Sequence, residues 1–183
     1  AFEPGPVRKA AQLNIDLHNL PEINLYPNVV SDKSETVSFF DLRSNSLGSA
    51  MSIDKHPDAI RTDARSVSLD EILKDHRAEG PLFVKVDTQG YEYKVLAGLS
   101  AYIANHAVSG IFEYGPGLIF RAGGDPIAFL HKLLETSNVY DIGARRDKKV
   151  RIEADDVSGF AENLKKDQTL NYTDLLAIDR RTV

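Results

Sequence analysis

Short apolar runs alternate with amphipathic stretches along the chain, the pattern expected of a mainly parallel sheet covered by helices. Val7, Ala10, Ala11, Ile15 and Leu17 recur at roughly helical spacing behind Pro4-Gly5-Pro6, whose second proline suits a first helical position; a helix ending near His18-Asn19 follows. Asn24 to Val30 reads as a strand entered through a turn. Thr36 to Leu42, rich in β-branched and aromatic residues, reads as an extra strand within an excursion over about 34–67. A polar loop from Ser44 to about Pro57 comes next. Ser68 and Glu71 then have the spacing of a capping box, which predicts a short helix through Leu73.

Leu82 to Asp87 is nearly continuously apolar, as a central strand buried on both faces requires. The segment after it carries Val95, Leu96, Leu99, Tyr102 and Ile103 on one helical stripe. Ser109 to Tyr114 repeats the plan: a strand, an acid at its carboxyl end, and a glycine–proline loop. Asp125-Pro126 opens another helix, with Ile127, Leu130, Leu133 and Leu134 facing inward. Two further strands are expected at Val139 to Gly143 and Thr173 to Asp179. Between them lie a loop or hairpin over Lys148 to Asp156 and a helix around Phe160 to Leu164. With no internal repeat and no low-complexity linker, residues 1–183 read as one α/β domain, mostly parallel with an antiparallel end.

Composition narrows the chemistry. The 183 residues include no cysteine, which removes thiol nucleophiles, redox pairs, cysteine-ligated metals and disulfides. Lys and Arg number 22 against 27 Asp and Glu, a net charge of −5, and a mildly acidic chain is a poor nucleic-acid surface. The short basic clusters, Arg145-Arg146 with Lys148-Lys149 and Arg180-Arg181, read as solvated turns. No apolar run approaches the about 18 residues of a membrane helix, so a soluble cytoplasmic protein is the expectation. The five histidines show no metal-binding spacing, and neither a GxSxG elbow nor a GxxxxGKS loop occurs; no metal is expected.

Open α/β sheets bind ligands beyond the carboxyl ends of their strands, and three acids stand at such ends: Glu3, Asp87 and Glu113. Each alone suits a helix cap; together they point to a site. Lys85 lies two residues before Asp87 and so on the same strand face, either as a structural partner of Asp87 or Glu113 or as a group tuning the acid beside it. A magnesium-dependent hydrolase built on Asp87, Glu92 and Glu113 is one reading of these carboxylates.

Phe2-Glu3-Pro4, Asn14-Ile15, Asn19-Leu20, Val30-Ser31-Asp32, Ser68-Leu69-Asp70, the segment Val84 to Glu92 with Val95-Leu96 and Gly98, and Phe112-Glu113-Tyr114 resemble, in order and spacing, the FkbM-type methyltransferases. The K-x-D-x-x-G-x-E segment is the most specific piece, and the similarity runs from Phe2 to about Pro116. The resemblance implies a Rossmann-like class I methyltransferase sheet with S-adenosylmethionine as cofactor. It implies methyl transfer to a hydroxyl oxygen of a small metabolite or sugar, so the partner is a small-molecule acceptor. By position, Glu3 would accept both ribose hydroxyls, Ser31 and Asp32 would lie near the adenine, and Asp87 would orient the cofactor's amino group or act as general base. Glu92 and Glu113 are rival bases, and the loop Ser46-Leu47-Gly48-Ser49 would border the acceptor. Family members place a first strand and a glycine-rich turn ahead of the E-P motif, whereas the sequence here opens at Ala1-Phe2-Glu3. The expected sheet is therefore incomplete at its N-terminus, lacking a central strand. The alternative is a noncatalytic Rossmann-like interaction module without cofactor affinity, its open edge or groove held by a partner chain.

Overall fold

The computed structural model describes residues 1–42, 59–74, 80–143, 149–166 and 171–182. The chain opens with helix α1, Arg8–Leu17, in which no residue is buried and Leu17 is 71% exposed. A parallel bridge joins Phe2 to Tyr26, whose rings stack with centroids 5.1 Å apart. Strand β1 is Val29–Val30, shorter than the expected Asn24 to Val30. Strand β2, Thr36–Leu42, has the expected bounds, and it pairs antiparallel along its whole length with β3, Ala59–Val67. Strand β3 also runs parallel to β1, giving a three-stranded sheet of order β1-β3-β2.

Helix α2, Leu69–Leu73, is capped by Ser68, whose hydroxyl accepts from the Glu71 N–H at 3.2 Å. Only half of the expected capping box forms, because the Glu71 carboxylate accepts from Ser34 instead. Strand β4, Leu82–Val86, is followed by two short helices, α3 at Glu92–Ala97 and α4 at Ser100–Asn105, where a single stripe was expected. Next come β5 at Val108–Tyr114, α5 at Pro116–Arg121 and α6 at Pro126–Thr136. Helix α6 starts as its sequence predicts: Asp125 accepts from the N–H groups of Ile127 and Ala128 at 2.8 and 3.1 Å. Strands β6 (Ser137–Asp141) and β7 (Val150–Arg151), helix α7 (Val157–Lys166) and strand β8 (Thr173–Asp179) complete the fold.

The second sheet has five strands in the order β4-β5-β8-β6-β7. Only β4 and β5 pair parallel; β8 runs antiparallel between β5 and β6, and β7 antiparallel outside β6. The described strands thus form two sheets where one mostly parallel sheet was expected; of the antiparallel strands, β7 stands at the edge as expected and β8 is inserted between β5 and β6.

Strand β4 departs furthest from expectation. It pairs on one side alone among the described residues, and its burial alternates, with Phe83 59% exposed and Val86 buried. The alternation continues through β5, β8 and β6. One face carries Val86, Phe112, Leu175, Ala177 and Val139, which pack with Leu96, Phe129, Leu130 and Leu133 into the main core. On the other face Ile111, Leu176, Ile178 and Tyr140 are only partly buried. An apolar run here records one packed face and one open face.

Candidate active site

The site is built on the turn that leaves β4. Thr88, Gln89 and Gly90 reverse the chain, and Gly90 is required twice over. Its φ is 105°, and a Cβ there would stand 2.7 Å from the carbonyl carbon and oxygen of Leu118 on α5. Glu92 folds back into the turn it follows: its carboxylate accepts from the N–H and hydroxyl of Thr88 at 2.8 and 3.0 Å and from the Gly90 N–H at 3.0 Å. Glu92 is completely buried, and that burial raises its pKa against the pull of these donors. Both oxygens accept from backbone N–H groups, so Glu92 shapes the turn.

Register then gathers the other charged groups. Lys85 pairs with Ile111 across the parallel ladder, and Glu113 pairs with Asp174 across the antiparallel one. Because paired residues share a face, Lys85, Glu113 and Asp174 all rise from the open side of the sheet. The Lys85 ammonium lies 3.3 Å from Asp87 and 3.9 Å from Asp174. It is half-exposed, so the requirement for a partner is met by a shared surface ion pair rather than a buried one. Gln89 completes the group, its Nε2 donating to Asp87 Oδ1 at 3.2 Å and to Glu113 Oε2 at 3.0 Å.

Glu113 is nearly buried, and its pKa is pushed up to about 7. Burial is the largest cause; the charges of Asp87, Glu92 and Asp174 add to it, and Lys85 opposes. Its Oε1 accepts no hydrogen bond from the described residues.

The residues nearer the N-terminus form a second group. Ser31 is buried and donates from its hydroxyl to Asp32 at 2.9 Å, and Lys94 of α3 lies 3.6 Å from the same carboxylate. Burial works against ionisation of Asp32, but the Ser31 hydroxyl and the Lys94 charge outweigh it and hold the pKa below its ordinary value. Gly98, just past α3, fixes this contact, since a Cβ there would stand 2.1 Å from the Ser31 carbonyl oxygen. The Gly98 carbonyl in turn accepts from the Asp70 N–H at 2.7 Å, while the Asp70 carboxylate caps α4 through the N–H groups of Ala101 and Tyr102. Ser68-Leu69-Asp70 is therefore a double helix cap.

Glu3 is held within the N-terminal segment. Its Oε1 accepts from the Gly5 N–H at 2.7 Å, and its own N–H donates to the Tyr26 carbonyl at 3.0 Å. The structure thus brings Lys85, Asp87 and Glu113 together, and it ties Ser31 and Asp32 to α3. No hydrogen bond or ion pair joins Glu3 to either group among the described residues. Two members escaped sequence reasoning. Gln89 carried no signal beyond its place in a turn, and Asp174 becomes visible only once β8 is known to lie antiparallel beside β5. The Ser46 to Ser49 loop lies outside the described residues.

The methyltransferase FkbM domain family matches residues 1–155, and the chain belongs to it. The match extends beyond Pro116, where the motif resemblance ends, through α5, α6 and β6. No curated protein and no solved structure matches the chain. Among the described residues no three ligands stand together for a metal ion, and no helix is long and apolar enough to cross a membrane.

Proposed function

We propose that this methyltransferase-family chain uses S-adenosylmethionine to methylate a hydroxyl oxygen of a small metabolite or sugar, with Glu113 taking the acceptor's proton. The state of Glu113 carries the reading. A nearly buried carboxylate with one free oxygen and a pKa of about 7 both accepts and releases a proton near neutrality, as a general base requires. As the acceptor oxygen receives the methyl group, Glu113 Oε1 would take its hydroxyl proton. When bound, the cofactor supplies the electrophilic methyl group.

The side chains present suit its polar groups. Glu3 spends Oε1 on the Gly5 N–H and leaves Oε2 for a ribose hydroxyl. Asp32, held below its ordinary pKa, is an anionic acceptor for an exocyclic amine. Asp87 suits an ammonium group, and Lys85 keeps its charge balanced. Calorimetric titration of the chain with S-adenosylmethionine tests the reading. Binding is expected, and Glu3→Ala should weaken it by about 1.5–3 kcal/mol, the range for a hydrogen bond to a charged group. No binding, or equal binding by Glu3→Ala, rejects it.

Among the described residues β4 pairs on one side alone, which supports a second reading. An exposed strand edge beside Phe83 and a half-open face is a template for another strand. In an interaction module that strand belongs to a partner chain, and S-adenosylmethionine does not bind. The same titration separates the two.

A further inference from the structure

We propose that Gln89 is a positioning residue, whose carboxamide bridges Asp87 and Glu113 and holds them as one unit with Glu113 Oε1 turned toward the acceptor. The inference rests on the methyl-transfer reading for what the unit does, and on geometry for its existence. Asp87 follows β4 and Glu113 lies near the end of β5, so two carboxylates approach across neighbouring parallel strands. Lys85 lies 3.3 Å from Asp87 and reaches across β5 to lie 3.9 Å from Asp174, and its charge acts on Glu113, yet among the described residues no ion pair joins it to Glu113. The Gln89 amide supplies two N–H donors without adding charge, and it spends them at 3.2 Å on Asp87 and 3.0 Å on Glu113.

The backbone supports the assignment. Gln89 has φ 55°, one of two positive values at non-glycine positions among the described residues. An L side chain enters that region at a cost, and such a residue persists where its surroundings over-determine it. Glycine would satisfy the backbone better, so it is the side chain that accounts for glutamine at this position.

A donor aimed at a carboxylate favours its charged form. Losing the bridge should therefore make Glu113 hold its proton more tightly, in a field otherwise set by Asp87, Glu92, Lys85 and Asp174. The experiment follows the Glu113 carboxyl carbon by NMR across a pH titration, with Glu113→Gln identifying the signal, in the wild type and in Gln89→Ala and Gln89→Gly. Gln89→Gly removes the amide while easing the backbone, so it keeps the fold if Gln89→Ala does not. The expected result is a rise in the midpoint by about half a unit or more in each variant that folds. A midpoint that stays in place or falls overturns the proposal. A rising midpoint in a chain that does not bind S-adenosylmethionine refutes the methyl-transfer reading and leaves the bridge intact.

Discussion

Glu92 and Glu113 share a residue type and lie on either side of the same turn, yet their surroundings give them different work. Glu92 meets three donors from Thr88 and Gly90 inside the turn, and Glu113 meets one donor and one open side. Cutting back Glu92 should therefore be a stability event. Glu92→Ala leaves the Thr88 and Gly90 N–H groups buried without acceptors, and at about 1–3 kcal/mol for each such group the loss should reach about 2–5 kcal/mol in urea unfolding. An unfolding midpoint equal to the wild type would show that water satisfies the turn and that Glu92 is not its organiser. Sequence position placed Glu92 among the candidate bases because a helix's first turn is where an acid meets a ligand. The backbone N–H groups that fill its oxygens appear only when the turn closes.

At the scale of elements, what was legible depended on whether an element's signal lay in its own side chains. Strand β2 and helix α6 have theirs: a β-branched and aromatic run in one, an Asp-Pro start with an apolar stripe in the other. Strand β3 has little, because Arg61, Thr62, Asp63 and Arg65 are polar and the ladder to β2 is what makes the segment extended. Helix α5 hid behind Gly115-Pro116, where proline starts a helix rather than breaking one. The stripe from Val95 to Ile103 divides at Gly98 because the chain there must press against Ser31. That division makes a prediction. Gly98→Ala has ordinary backbone angles but places its methyl group 2.1 Å from the Ser31 oxygen, so Ser31 and Asp32 must move off α3. A loss of about 1–3 kcal/mol in urea unfolding is expected from overpacking of this kind, with weaker S-adenosylmethionine binding as a second readout. A variant as stable as the wild type would mean that the excursion carrying β1 to β3 is not anchored there.

Taken as a whole, the molecule has its charged groups set against each other in pH. Asp179 is fully buried at the end of β8, accepting from the Val108 N–H at 3.0 Å and from the Arg181 guanidinium, which also reaches the Ile103 and His106 carbonyls at the end of α4. This clasp ties α4, β5 and β8 together. Hydrogen bonding from Arg181 holds the Asp179 pKa well below the carboxylate range despite its burial. A depressed folded pKa contributes stability that is present above the unfolded value of 3.8 and is lost as pH falls below it. Glu113 has the opposite sign: its folded pKa, about 7, lies above the unfolded 4.5, so its contribution is complete below 4.5 and is lost as pH rises toward 7. Asp32 acts in the direction of Asp179, and Glu92 in that of Glu113. Melting temperature should accordingly pass through a maximum at mildly acidic pH, near the unfolded carboxylate values. Glu113→Gln should flatten the decline on the neutral side, and Asp179→Asn should flatten the decline on the acid side while lowering the whole curve. If Glu113→Gln melts in parallel with the wild type from pH 4.5 to 7, its carboxyl is not held in the protonated form by the fold. The same measurement therefore bears on whether a proton-accepting group stands between β4 and β8.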